Sequence, residues 1–285
     1  MKGIVLAAGR GTRLYPMTKP VCKPLLPVYD KPMIYYPIST LIQAGIREIL
    51  VIIPPGEERP FGELLGDGSH LGIKIEYAVQ KVARGIADAL VIGHDFIEDE
   101  SVCLVLGDNI FHSHNMDEVL LKVKEQPAGA AVFGYYVDDP RPFGVVEFDD
   151  EGNAVSIEEK PANPRSNYII PGLYFYDNQV VNIARSLKPS KRGELEITDV
   201  NLEYLHRGQL HVYPFERGLT WMDAGSADSV LDAAETIKAL QRSGTYVGCL
   251  EEIAWRQGFI DIDRVHEIGE SLKMTNYGQY LLKLR

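Results

Sequence analysis

A chain of 285 residues with 45% hydrophobic and 24% charged residues can bury one large core or two modest ones. Its formal net charge of −11 argues against general nucleic-acid binding, which usually shows as a basic domain. No apolar run approaches the ~20 residues of a membrane span, and Met1-Lys2 leads straight into a core strand rather than a signal peptide. Three widely spaced cysteines, Cys22, Cys103 and Cys249, suggest neither a disulfide framework nor a zinc site, so a reducing, cytoplasmic setting is expected.

Residues 3–8 form an apolar run that reads as a buried first strand, and a glycine-bearing turn follows at once. Residues 31–44 read as a helix ended by Gly45, and 47–53 as a second buried strand stopped by Pro54-Pro55-Gly56. A helical turn begins at 63–65 and is broken by Gly66-Asp67-Gly68; a strand over 73–79, a short helix over 86–93 and a buried strand over 102–106 follow. This alternation is the pattern of a parallel α/β sheet, in which ligands bind beyond the carboxyl ends of the strands. That rule places the Gly9 loop, Gln80 and Asp108 on one edge.

The middle of the chain differs. Residues 130–137, 144–148, 154–159 and 168–176 are strand-like, with 149–153 as a turn, and suggest a second, more antiparallel layer able to cover a ligand. Residues 177–187 and 194–206 read as helices and 211–215 as a strand. Ser226 is a candidate N-cap for a helix over 227–242, and short helices follow over 250–257, 262–272 and 276–284. No repeat or linker divides the chain, so one domain is expected: an α/β core over 1–225 and a helical extension over 226–285.

The chemistry gathers in the first 37 residues. Gly9 and Gly11 allow a tight turn and a close backbone approach to a ligand, and successive N–H groups in such a turn make a nest for phosphate oxygens. Pro16, Pro20, Pro24 and Pro27 rule out a regular helix and hold an extended path. Arg10, Arg13, Lys19, Lys23 and Lys31 stand there against a single acid, Asp30, which suits a polyphosphate. The G-x-x-x-x-G-K-[ST] loop is absent. The G-x-G-x-x-G fingerprint fails too, with Leu14 in place of its third glycine and no second strand before Asp30. The plain alternative is a glycine turn with surface charges. Asp108 closes a strand facing this loop, and a magnesium ion bridged to substrate phosphates would give it a positive partner. Asp223, in Trp221-Met222-Asp223-Ala224-Gly225, is the second candidate, and each acid could equally be a strand-end or cap residue. His112, His114 and Cys103 complete no metal cluster and read as structural or surface residues.

The series Leu6-Ala7-Ala8-Gly9-Arg10-Gly11-Thr12-Arg13-Leu14, Leu106-Gly107-Asp108-Asn109, Glu158-Glu159-Lys160-Pro161, Gly193-Glu194-Leu195-Glu196-Ile197-Thr198-Asp199 and Trp221-Met222-Asp223-Ala224-Gly225 closely resembles the sugar-1-phosphate nucleotidyltransferases. Within them it is similar to the thymidylyl-transferring branch, nearly end to end. It departs from that pattern at Ala8, where Gly is common, at Cys22, where Ser is usual, and at Pro24, where Gln is frequent. The resemblance implies a Rossmann-like, three-layer α/β fold with a mostly parallel central mixed sheet, an additional antiparallel sugar-binding portion and C-terminal helices. It implies transfer of a thymidylyl group from dTTP, with UTP as a second donor, to glucose 1-phosphate, giving dTDP-glucose and pyrophosphate with Mg2+.

By the same resemblance, catalysis falls to Arg13, Lys23, Asp108, Lys160 and Asp223, and the metal to Asp108 and Asp223. Nucleotide binding falls to Leu6, Ala8, Gly9, Gly11, Thr12, Arg13, Gln80, Gly85 and Asp108. Sugar-phosphate binding falls to Asn109, Gly144, Glu159, Lys160, Tyr174, Arg192 and Asp223. The Gln80 amide offers a donor and an acceptor to the O4/N3–H edge of thymine, and a backbone group of the Gly85 turn is expected to fix its orientation. Residues 249–260 also resemble the C-terminus of that branch, which implies a homotetramer and feedback by a downstream dTDP-sugar such as dTDP-rhamnose. Cys22 lies between Lys19 and Lys23; cations lower a thiol pKa, while the plainer reading is a small residue in place of Ser. One alternative is a uridylyl- or adenylyltransferase on another sugar phosphate. Another is a regulatory paralogue without turnover, which would have lost a metal carboxylate or a loop cation; Arg13, Lys23, Asp108, Lys160 and Asp223 are all present.

Overall fold

The computed structural model describes residues 1–125, 128–215 and 218–285. β1 (Lys2–Leu6) runs into the glycine loop, two short strands, β2 (Pro27–Val28) and β3 (Lys31–Pro32), end that loop, and α1 (Tyr35–Gln43) follows. Next come β4 (Glu48–Ile53), α2 (Glu58–Leu65), β5 (Lys74–Val79), α3 (Asp88–Ile92) and α4 (His94–Ile97). They lead to β6 (Val102–Leu106), β7 (Asn109–His112) and α5 (Met116–Lys124). A run of strands follows: β8 (Ala130–Tyr136), β9 (Gly144–Phe148), β10 (Ala154–Glu159), β11 (Tyr168–Ile169) and β12 (Leu173–Tyr176). The chain continues through α6 (Val180–Ser186), α7 (Ile197–His206), β13 (Leu210–Pro214) and β14 (Thr220–Asp223). It ends in α8 (Ala227–Arg242), α9 (Leu250–Arg256), α10 (Ile262–Ser271) and α11 (Asn276–Leu281).

One ten-stranded sheet is the middle layer, in the order β10-β9-β11-β8-β12-β6-β1-β4-β5, with β13 added beside β8. β5, β4, β1 and β6 are parallel, and β12 pairs antiparallel with β6. The inner strands β1, β4 and β6 are covered on both faces and read as nearly unbroken apolar runs, whereas the edge strand β5 alternates, with Lys74 exposed and Glu76 half-buried. Side chains nevertheless alternate. Val5, Val51 and Val105 join the core with α1, α5 and α9, while Ile4, Leu50 and Leu104 join the core with α3, α6 and α7. The result is the three-layer α/β mixed sheet that the resemblance implied. The tail helix α8 packs Ala233 and Ile237 on Leu14, Leu26, Val28 and Met33, and so braces the loop after β1. Its N-terminus carries the expected Ser226 cap: Ser229 N–H donates to Ser226 Oγ at 3.2 Å, and Ser226 N–H donates to Ser229 Oγ at 2.8 Å.

The structure corrects several expectations. The helix expected over 31–44 begins only at Tyr35, because Lys31 and Pro32 pair with Val28 and Pro27 as a small hairpin. Residues 63–65 end a helix rather than begin one; α2 starts at Glu58 because its proline, Pro60, sits in the first turn, where no N–H is required. The strand over 168–176 is interrupted at Ile170-Pro171-Gly172. β7 and α5 were not anticipated. The antiparallel strands form no second layer. They continue the same sheet through the β6–β12 pairing.

Candidate active site

A cavity of about 670 Å3 opens beyond the carboxyl ends of β1 and β6. Its lining includes Leu6, Gly9, Arg13, Lys23, Asp108, Asn109, Gly144, Glu159, Lys160, Tyr174 and Asp223. Eleven residues assigned from sequence are thus gathered from stretches spread over the chain from Leu6 to Asp223. Close backbone approach makes this possible. A Cβ on Gly107 would lie 2.9 Å from the Leu6 carbonyl oxygen, so only glycine lets the ends of β1 and β6 meet. A Cβ on Gly9 would meet nothing within 4 Å, which leaves its backbone open to a ligand. Gly11 takes a left-handed conformation, φ +60°, against Lys23 and Thr18, and Thr18 Oγ1 donates to its carbonyl at 2.7 Å. The loop is therefore folded on itself and presents Arg13 and Lys23.

Lys23 heads a single 3-10 turn, is 7% exposed, and its Nζ donates to Asp108 Oδ2. The other Asp108 oxygen accepts from Asn109 Nδ2 at 2.9 Å. Asn109 Oδ1 in turn accepts from the Trp221 indole at 2.7 Å and from Gly172 N–H at 3.1 Å, which fixes the amide with its Nδ2 toward Asp108. β14 pairs antiparallel with β7 and puts Asp223 opposite Asn109, which brings the second acid to the first. Burial, and then the Asp108 charge, push the Asp223 carboxyl up to about 6, against the pull of Lys23 and Arg13. Asp223 has no hydrogen-bond partner for its carboxylate among the described residues. Two adjacent hard carboxylates, one of them short of positive charge, fit a magnesium ion that completes its shell with water and phosphate oxygens. Among the described residues no group of three or more His, Cys, Asp and Glu side chains stands ready to hold a metal unaided.

The far wall comes from the antiparallel strands. Glu159 ends β10 and is held twice: Thr198 Oγ1 donates to its Oε2 at 2.5 Å and Arg192 donates to its Oε1 at 3.2 Å. Gly144 lies opposite on β9, where a Cβ would meet Thr198 Oγ1 at 3.1 Å, so the glycine keeps that corner open. Lys160 adopts φ +47°, a left-handed conformation that costs a lysine about 1 kcal/mol or more, and its N–H donates to Phe143 O at 3.0 Å. Tyr174 is 3% exposed, and burial with the nearby Glu159 and Asp108 charges holds its phenol protonated.

Ala8, Gly11, Thr12, Gln80, Gly85 and Arg192 lie outside the cavity lining. Arg192 is spent on Glu196 at 2.7 Å, Glu159 and Glu194. Gln80 ends β5 as a buried amide whose Nε2 donates to Asp88 Oδ2 at 2.9 Å, so a carboxylate rather than the Gly85 backbone holds it. The Cys22 thiol is buried and pushed up to about 12, by burial and then by Glu57, so the neighbouring lysines do not activate it. Thr198, Asn201, Ile86, Phe143 and Trp221 also line the cavity and were given no role from sequence. The Glu196-Ile197-Thr198-Asp199 motif was a signal for Thr198 and the Trp221-Met222-Asp223-Ala224-Gly225 motif for Trp221; Asn201, Ile86 and Phe143 lie outside the quoted motifs.

Comparisons with known proteins bear on the family and the fold. The nucleotidyl transferase family model matches residues 2–239. The chain is similar to the glucose-1-phosphate thymidylyltransferase of Mycolicibacterium smegmatis, 53% identical over all of this chain and 99% of the relative. The thymidylyltransferase of the same name from Neisseria meningitidis is 52% identical with the same coverage. A Bacillus anthracis crystal structure, described as a candidate glucose-1-phosphate thymidylyltransferase with a sucrose bound, aligns with TM-score 0.78 and 41% identity over 86% of this chain and 97% of that one. A UDP-glucose pyrophosphorylase with UDP-glucose, TM-score 0.73 and 22% identity over 84% and 98%, shares the fold. The family model over most of the chain, together with relatives about half identical from end to end, shows that the chain belongs to the nucleotidyl transferase family.

Proposed function

We propose that the chain transfers the thymidylyl group of dTTP to α-D-glucose 1-phosphate, giving dTDP-glucose and pyrophosphate. One observation carries the reading: a single cavity joins a glycine loop with two cations, a pair of carboxylates and a separate wall of Gly144, Glu159 and Lys160. That division matches two anionic substrates meeting at one phosphorus. The 53% identity to a thymidylyltransferase over the full chain supports the choice of substrates. UTP is the second donor. The test is pyrophosphate release across a grid of nucleoside triphosphates and sugar 1-phosphates. A rate highest for dTTP with glucose 1-phosphate bears the proposal out; a preference for another sugar phosphate, or binding without turnover, refutes it.

A phosphate oxygen of glucose 1-phosphate attacks the α-phosphorus of the triphosphate. The new P–O bond forms as the bond to the β-phosphate oxygen breaks in line, and pyrophosphate carries the charge away. The nucleophile is already ionised, so no general base is required. The protein's task is to hold two mutually repelling anions and to meet charge at the α-phosphate. Arg13 and the Gly9 turn suit the triphosphate, and Lys160 suits the sugar phosphate. Glu159, its carboxylate fixed by Thr198 and Arg192, accepts from sugar hydroxyls. Asp108 and Asp223 would hold Mg2+, which when bound neutralises phosphate charge and aligns the leaving group.

The same reading extends to assembly and control: a homotetramer in the cytoplasm, with a dTDP-sugar as feedback inhibitor acting through the tail. α9 carries Arg256, which pairs with Glu252 at 2.8 Å, and all three cysteines are free. No helix among the described residues is long and apolar enough to cross a membrane. Solution mass tests the tetramer. Inhibition by dTDP-rhamnose that is identical before and after Arg256→Ala would remove the regulatory part.

A further inference from the structure

The Gln80 amide is held by a chain of contacts that the transfer reaction does not by itself require. Gln80 Nε2 donates to Asp88 Oδ2 at 2.9 Å, and Arg84 donates to Asp88 Oδ1 at 2.7 Å. Gln80 is 6% exposed and Asp88 is 1% exposed, whereas the Arg84 side chain is 57% exposed. The loop between them is pinned as well. Leu195 N–H donates to Arg84 O at 2.6 Å, and Ala87 N–H donates to Leu195 O at 3.2 Å. Gly85, at φ +101°, sits where a Cβ would lie 2.4 Å from the Leu195 carbonyl oxygen. The next residue, Ile86, lines the cavity, so this pinned loop forms part of its rim.

We propose that Asp88 is a positioning residue that fixes which way the Gln80 amide faces, and so makes the site accept the imide edge of thymine or uracil and reject the amidine edge of cytosine. The inference rests on the reading of Gln80 as the base-facing residue of a nucleotidyl transfer site. An amide has two ends, and an isolated one rotates at little cost to suit either base. A carboxylate is acceptor-only when ionised. Rotating the Gln80 amide by half a turn would set its Oε1 against Asp88 Oδ2, two acceptors with no proton between them, in a site too buried for water to intervene. Arg84 donates to the other Asp88 oxygen, so both oxygens of the carboxylate are committed as acceptors, one to Arg84 and one to Gln80. Gln80 is left with Oε1 and one N–H for the ligand, which match N3–H and O4 of thymine or uracil. Cytosine presents an acceptor at N3 and a donor at position 4, the reverse pair.

The experiment compares kcat/KM for dUTP and dCTP with glucose 1-phosphate. These two nucleotides share sugar and phosphates and both lack the 5-methyl group, so their ratio reports the base edge alone. The wild type is expected to favour dUTP by roughly 10²-fold or more, since a site built around fixed polar groups rejects the reversed pair strongly. In Asp88→Asn the new amide can donate to Gln80 Oε1, the flipped orientation becomes available, and the ratio should fall at least about tenfold, chiefly through better use of dCTP. General damage to the fold would lower both rates and leave the ratio in place. If Asp88→Asn does not fold, Arg84→Ala, which alters a mostly exposed side chain, takes its place and should give a smaller fall in the same ratio. A wild-type ratio retained in whichever variant is measured overturns the lock while the thymidylyl-transfer reading stands. A wild type that turns over neither dTTP nor dUTP overturns that reading itself.

Discussion

Replacing Asp223 with asparagine should make the metal-free protein more stable while abolishing its activity. The Asp223 carboxyl is raised from 3.8 to about 6 by burial and by the Asp108 charge. Between those two values the folded protein keeps a proton that the unfolded chain has released. Native stability therefore falls as pH rises through the window, and above pH 6 the ionised acid costs the fold at most ~3 kcal/mol. Asparagine keeps the shape and carries no charge at any pH. For a chain of 285 residues, 3 kcal/mol corresponds to a shift in Tm of about 5 °C. In EDTA at pH 7.5, Asp223→Asn should thus melt up to ~5 °C above the wild type, and the gap should narrow as pH drops through 6 and close near 4. Magnesium added at pH 7.5 should raise the wild type and not the variant, because only the wild type presents both carboxylates. Differential scanning calorimetry over that pH series is the assay, with pyrophosphate release as the parallel readout. An asparagine variant that melts at or below the wild type at pH 7.5, or a gap that does not change with pH, would show that the two acids do not repel each other as the geometry requires.

Arg13→Ala should lower kcat by roughly 10²–10³, the usual loss for one donor to transition-state charge, and steady-state kinetics that show only a raised KM would assign it to uniform binding instead. Lys160→Ala should raise the KM for glucose 1-phosphate with little change in that for dTTP; an unchanged glucose 1-phosphate KM counts against its role. Gly85→Ala should lose about 1–3 kcal/mol of stability from strain at φ +101°. Because the new Cβ meets the backbone of Leu195 rather than a movable side chain, it should also raise the KM for dTTP, as paired melting and kinetic measurements would show. Cys22→Ser should keep full activity, and the wild type should resist thiol alkylation at pH 7.5, since its thiol is buried and pushed up to about 12.

The strands β1, β4 and β6 of the parallel half were legible because they are buried on both faces. Val102–Leu106 is an uninterrupted apolar run, and its bounds came out as read. The hairpin of β2 and β3 was hidden because a two-residue strand carries no periodicity, and the prolines within it mimic the start of a helix. α2 was hidden behind Pro60 for the converse reason: proline marks a break in sequence, yet is at home in a first turn. The antiparallel strands were found individually, but no pattern in a single strand tells which edge it joins. Only the β6–β12 pairing shows that they extend the main sheet.

At the site, residue types with a fixed chemical role were legible and their partners were not. Asp108 could be read as a carboxylate that needs positive charge, but sequence offered no hint that Lys23 pairs with it, or that Asn109, Trp221 and Gly172 hold it in place. That pairing has a consequence for binding. A chain of net charge −11 repels a triphosphate at long range, and the cations after β1 are its local remedy. Lys23, though, is tied to Asp108 in a largely buried pair, and drawing it toward a phosphate would leave that carboxylate beside Asp223 with no counter-charge. The lysine is free to turn to the nucleotide only as far as another cation takes over the two acids. On the proposed function, nucleotide and divalent cation would therefore be thermodynamically linked through one ammonium group, and titrating nucleotide affinity against magnesium concentration checks it. Arg13 differs from Lys23 in this respect: its guanidinium lines the same cavity without a carboxylate partner among the described residues, so a triphosphate bound there would meet it without breaking an ion pair.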